Sequence, residues 1–230
     1  MKKLESTTNY FLAEGKGNLA ECIRLSFVRA TQAQIETIVI FTLNGEGVEF
    51  ACKELLSDPR YSGKRVVAVS YPFGSVPNAA LEMPEARMQL FKEFDIPLLR
   101  SISPLDDTLV PNSRQNNQIR KTLEIFSGGT ALCVWAILAA CDAGIVPYGE
   151  HVIGCCADTS IVAKATPTAQ FLSSFAVREF VCKPLIHDIS KGEALAEEIN
   201  AEGLVEKDKH EQISSEQRRL PQETERKQPK

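Results

Sequence analysis

The spacing of apolar residues changes period several times along the chain, and each change predicts an element. Residues 19–31 place Leu19, Cys22, Ile23, Leu25, Phe27 and Ala30 at helical intervals, with Asn18 positioned to cap the start. Ile35 to Phe41 is then a β-branched run of strand length, followed by the turn Asn44-Gly45-Glu46-Gly47 and a return to helical period over Val48 to Leu56. Lys64 to Tyr71 contains a second apolar strand, Val66-Val-Ala-Val-Ser70. Neither run alternates with polar residues, which is the pattern of parallel strands covered on both faces. Strand, glycine turn, helix and strand in that order make a βαβ unit.

Pro84 suits the first turn of a helix that ends near Phe94. Ile96 to Ile102 predicts a third strand, which Pro97 confines to an edge or to a strand start. Ser103 to Asn117 is polar and proline-containing and reads as an irregular loop. A helix is expected from Gln118 to Phe126, a break at Gly128-Gly129, and a very apolar helix over Ala131 to Ala143 closed by Gly144. His151–Cys156, Ser160–Ala165 and Ala176–Cys182 predict three short strands, with a hairpin or antiparallel pairing at the end of the sheet. Residues 206–230 hold seven Lys or Arg and six Asp or Glu with almost no aliphatics. The expected organisation is one α/β domain over 1–189 and a charged tail over 190–230, disordered or partly helical.

Composition narrows the classes. A chain of 230 residues with 43% hydrophobic residues buries a core without help from disulfides or a metal. A net charge of −4, with no cationic cluster ahead of the tail, argues against a nucleic-acid partner. The longest apolar stretch, Ala131 to Cys141, is too short to span a bilayer, so no membrane partner is expected. The seven cysteines are odd in number and sit mostly in apolar runs, the usage of buried free thiols in a reducing compartment. With no apolar leader at the N-terminus, a cytoplasmic location is expected.

The leading candidate for chemistry is the turn Thr42-Leu43-Asn44-Gly45-Glu46-Gly47, which leaves a strand and opens a helix, where free N–H groups favour an anion such as phosphate. The plainer alternative is that every βα connection needs a small-residue turn, and Glu46 would repel a phosphate unless it points away. Ser70 and Tyr71, with Phe73 beyond them, leave the second strand at the end where open α/β sheets bind ligands. Tyr71 and Phe73 either stack on a flavin or nucleotide ring there or simply pack. Cys155-Cys156 lack metal-ligand spacing and read as buried thiols, while Asp158-Thr159 read as a turn close to a ligand. Gly15-Lys16-Gly17 looks like a fragment of a phosphate loop without the preceding strand. No nucleophile–base pair is evident, so no catalytic residue is assigned.

An ordered set of motifs carries a family likeness. It comprises Tyr10-Phe11, Gly15-Lys-Gly-Asn18, Ile38-Val-Ile-Phe41 with its Thr42-to-Glu46 turn, Val69-Ser-Tyr71, Gly128-Gly129, Cys133-Val134, Ala139-Ala-Cys-Asp-Ala-Gly144, Ala157-Asp-Thr159 and Phe180-Val-Cys-Lys-Pro184. Together these resemble a family of stand-alone proteins similar to the C-terminal domain of pyruvate kinase, largely without an assigned activity. The resemblance implies a three-layer α/β/α sandwich with a mostly parallel sheet and one antiparallel strand near its edge. In pyruvate kinase the corresponding domain lacks the catalytic residues and binds a phosphorylated effector, whose phosphate sits on a similar Ser/Thr-Gly turn. A (β/α)₈ barrel takes about 250 residues, so pyruvate kinase activity is not expected here. The chain departs from the family pattern at Trp135, where a glutamate is usual, at the short Gly154-Cys155-Cys156 loop, and at Ser101-Ile-Ser-Pro104. It is identified as a divergent member. The implied function is binding of a phosphorylated ligand or nucleotide, flavin mononucleotide (FMN) among them. Thr42, Asn44, Gly45 and Gly47 would cradle phosphate, and Tyr71, Asp158 and Thr159 would line the crevice. Two alternatives stand beside it: an enzyme acting on a phosphorylated metabolite, and a homo-oligomeric scaffold joined through Ala131–Ala143 or an edge strand, which Trp135 would favour.

Overall fold

In the computed structural model, which describes residues 6–105 and 114–185, the two apolar runs pair side by side and parallel. They are β2 (Thr37–Phe41) and β3 (Arg65–Ser70), at the heart of a seven-stranded sheet. The others are β1 (Asn9–Phe11), β4 (Leu98–Arg100), β5 (His151–Cys155), β6 (Ser160–Lys164) and β7 (Ala176–Pro184), in the order β1-β7-β6-β5-β2-β3-β4. All run parallel except β6, which is antiparallel to both β5 and β7. The fold is therefore α/β with a mostly parallel sheet and helices on both faces.

Alternate residues of each strand enter opposite cores, as the pleat dictates. Ile38, Ile40, Val66, Ala68 and Ile153 pack on the side of α1 (Leu19–Gln32), α2 (Glu46–Phe50) and α3 (Glu85–Glu93). Val39, Phe41, Val67, Val69 and Val152 face α5 (Gly128–Asp142), against which α4 (Arg114–Glu124) lies. The apolar character of α5 on every side follows from its place: Cys133 through Ala140 are all buried. Trp135 is 1% exposed, so it forms no surface patch through which copies of the chain could associate.

β2, β3 and β4 follow one another toward one edge through helices on a single face. The chain then recrosses on the opposite face through α4 and α5 to place β5 on the other side of β2. The strand order thus reverses between β2 and β5, and a crevice opens beyond their carboxyl ends.

Several elements differ in extent from the sequence-based expectation. Gly128 and Gly129 do not break a helix; they open α5, because Gly129 must lie against the 156–159 turn, where a Cβ would come within 2.5 Å of Cys156 Sγ and of Thr159 Oγ1. Asn18 is not a side-chain cap. A 3₁₀ turn over Lys16–Asn18 precedes α1, and Asn18 Nδ2 donates to the Ala13 carbonyl at 2.8 Å. The helix after the glycine turn passes into a π-helical stretch over Ala51–Leu56. β1 has too few residues to show a period and was expected only as a motif. Residues 106–113 of the expected loop, and the whole charged tail over 190–230, lie outside the described residues.

Candidate functional site

The crevice at the switch point has a volume of about 470 Å³. Its walls come from five places: the segment leading into α1, the β2–α2 turn, Ala80 between β3 and α3, the amino-terminal turns of α5, and the β5–β6 hairpin. A wider depression of about 600 Å³, over Met88, Phe91, Leu98 and Ile145, lies at the amino ends of β3 and β4 and far from this convergence.

The β2–α2 turn is held by its own side chains. Thr42 Oγ1 accepts from the Gly45 N–H at 2.9 Å, and Gly45 takes a left-handed φ of 85° that lets the chain turn into α2. Asn44 spends its amide on Glu46: Nδ2 donates to Glu46 Oε1 at 3.2 Å and Oδ1 accepts from the Glu46 N–H at 3.4 Å. Arg87 of α3 clamps the turn from outside, donating through Nη1 to the Asn44 carbonyl at 2.5 Å and pairing with Glu49 at 2.7 Å. Glu46 does not point away from the crevice. It pairs there with Lys16 Nζ at 2.5 Å, and that ammonium, helped by Asn44, holds its carboxyl below the ordinary value of 4.5 against the opposing effect of burial.

On the opposite wall, Asp158 fastens three segments together. Its Oδ2 accepts from the Gly15 N–H at 2.9 Å and its Oδ1 from the Thr159 hydroxyl at 3.0 Å. Thr159 Oγ1 also lies 2.9 Å from Ser127 Oγ, which meets Thr130 Oγ1 at 2.7 Å. Ser127 therefore turns its hydroxyl to this network and makes no cap bond to α5. Gly128 and Gly129, whose N–H groups have no intrahelical acceptor at the start of α5, line the crevice. Cys156 reaches the same wall. Its neighbour Cys133, whose Sγ–H donates to the Thr159 carbonyl at 3.3 Å, lowers its ionisation from the usual 9.0 against the effect of burial, while burial pushes Cys133 itself well up. Cys155, one residue earlier, enters the α1 core instead, so the adjacent thiols face opposite sides of the sheet. Among the described residues no three His, Cys, Asp or Glu are placed to hold a metal ion.

Of the residues predicted for the site, Thr42, Asn44, Glu46, Gly47 and Asp158 line this one crevice. Gly45 belongs to the turn but faces α3, where a Cβ would meet Arg87 Cδ at 2.7 Å. Ser70 is buried behind the turn and donates to the Leu43 carbonyl at 3.1 Å. Thr159 is buried behind Asp158. Tyr71 is stacked edge-on against Phe41, with ring centroids 5.2 Å apart, and lines a neighbouring cavity. Phe73 is 62% exposed, with the Arg100 guanidinium 4.3 Å from its ring centre. The sequence placed Lys16 near the site only as part of a phosphate-loop fragment, and gave Gly128-Gly129 no binding role although they lay in a motif it singled out. Phe41, Leu43 and Leu132, the apolar part of the wall, carried no signal that separates them from ordinary core.

No known family profile matches the chain. The structure is similar to that of pyruvate kinase from Cryptosporidium parvum, at 11% identity and a TM-score of 0.34, over 64% of this chain and 22% of that one. The chain thus matches about a fifth of the length of that enzyme. So weak a likeness bears on neither ligand nor activity.

Proposed function

We propose that this chain is a small-molecule-binding domain that takes a phosphorylated ligand in the crevice beyond β2 and β5. The observation that carries the reading is the convergence on one cavity of the α5 amino terminus, through Gly128 and Gly129, with Lys16 and an apolar wall. Helix amino termini present free N–H groups and a partial positive charge, which suits a phosphate. Phe41, Leu43 and Leu132 offer a surface for a ring or carbon chain. The phosphate is assigned to the α5 side, because in the β2–α2 turn the Gly45 N–H already donates to Thr42 and the Asn44 side-chain amide to Glu46. Lys16 is 70% exposed and among the described residues pairs with Glu46, a carboxylate it can exchange for a phosphate. FMN is a specific candidate, and phosphoryl transfer of the pyruvate kinase kind is not part of the proposal.

Native mass spectrometry of freshly purified protein, followed by denaturation to release anything bound, tests this directly. A nucleotide or other phosphorylated mass increment is expected, weakened in Lys16→Ala and retained or strengthened in Glu46→Gln, which removes the competing carboxylate. An empty protein that shows no thermal shift with FMN, AMP or sugar phosphates would sink the reading.

A further inference from the structure

A second cavity, of about 250 Å³, lies between α4 and α5 and touches the main crevice at Gly128 and Leu132. Its other walls include Tyr71, Trp135, Arg120, Glu124 and Ser103. Two of these residues, Trp135 and Arg120, carry buried donors, Nε1 and Nε, that find no acceptor among the described residues. Buried polar hydrogens are nearly always paired, so two orphans on the residues around one small cavity call for an explanation. The remaining Arg120 nitrogens are engaged: Nη1 donates to Glu124 Oε1 at 3.2 Å and Nη2 to Asn117 Oδ1 at 3.3 Å. The guanidinium is therefore oriented by its own helix, with Nε–H left over.

We propose that this cavity is a carboxylate-binding site, in which Arg120 Nε–H and Trp135 Nε1–H donate to the carboxylate of a small organic acid. Two donors match the two oxygens of one carboxylate. Charge separates a carboxylate from a phosphate, because Glu124 already pairs with Arg120 and repels a dianion more than a monoanion. The rings of Trp135 and Tyr71, whose centres are 4.8 Å apart, supply an apolar wall for a short carbon chain. The site has its own donors and does not depend on what the main crevice binds.

Trp135 is the single tryptophan of the chain, so fluorescence under tryptophan-selective excitation reads a residue of this cavity. Titration with acetate, propionate and butyrate is expected to give a saturable change that acetamide, propionamide and inorganic phosphate do not give. Arg120→Lys keeps the charge but removes Nε–H, and should weaken binding about tenfold, the loss expected of one charge-assisted hydrogen bond. Trp135→Phe, followed by thermal shift in place of fluorescence, should weaken it as well. Lys16→Ala, which tests the main crevice, should leave this titration unchanged. The proposal fails if no carboxylate gives a saturable response. It fails equally if phosphate takes the site in preference, or if both variants, folded by circular dichroism, bind carboxylate as the parent does.

Discussion

A methyl group added at Gly129 would lie 2.5 Å from Cys156 Sγ and from Thr159 Oγ1, and 2.7 Å from Thr159 Cβ. None of these atoms is the loose end of a long side chain; all belong to the turn that Asp158 and Ser127 hold in place. Gly129→Ala should therefore cost about 1–3 kcal/mol, the usual penalty for overpacking a filled site, and urea denaturation would show it as a lower midpoint at unchanged slope. Gly128→Ala, with only Glu14 Oε2 at 3.6 Å, is the control that should be far milder. The pair also shows what the sequence concealed at this scale. Two adjacent glycines signal a break by composition, and only the approach of a distant hairpin turns the second into a contact point. Thr42 and Asp158 were legible because strand ends and turns have local signatures. Lys16 was legible as part of a phosphate-loop fragment, but its pairing with Glu46 was not, since the fold brings the two together.

Among the elements, α2 is tied most heavily by charge. Glu49 pairs with Lys53 at 2.7 Å and with Arg87 of α3 at 2.7 Å, and these two cations hold its carboxyl below the ordinary 4.5. A depressed carboxyl stabilises the fold at pH above its unfolded value and loses that contribution as pH falls through its folded value. Thermal unfolding of Glu49→Gln should then lie below that of the parent at pH 7, by about 1 kcal/mol or less for so accessible a pair, and the gap should close below pH ~4. A gap that persists at low pH would mean Glu49 acts through packing. The central elements were readable because β2, β3 and α5 carry continuous apolar runs whose length and β-branched content tell strand from helix. β4 shrank to Leu98–Arg100, since an edge strand has one partner and Pro97 offers it no N–H. The π-helical stretch at Ala51–Leu56 has no sequence signature.

At the scale of the whole molecule, the distribution of sulfur is the sharpest test of the fold. All seven cysteines are buried free thiols. Burial raises the ionisation of Cys22, Cys133 and Cys155, and pushes Cys52 up to about 11. Such thiols are poor nucleophiles at neutral pH. Cys156 differs, because its ionisation is lowered and it borders the crevice. Native protein treated with iodoacetamide should be modified only at Cys141, the most exposed of the seven, and at Cys156 on the crevice wall, read by peptide mass spectrometry, and a crevice ligand should slow the reaction at Cys156 but not at Cys141. All seven should react once the chain is denatured. Early modification of Cys22 or Cys155 would mean that the sheet opens more readily than its packing implies.

β1 has one neighbour, β7, and meets it residue by residue: Asn9 beside Cys182, Tyr10 beside Lys183, Phe11 beside Pro184. On a ribosome the first of these strands is made long before the second, and until β7 emerges β1 has no strand to pair with. Gly15 and Lys16 follow directly behind β1, so the wall they form waits for the far end of the domain to be synthesised. A nascent chain stalled before residue 176 would carry most of the sheet and both glycine turns, yet no finished crevice, and a ligand in the cell would be blind to it.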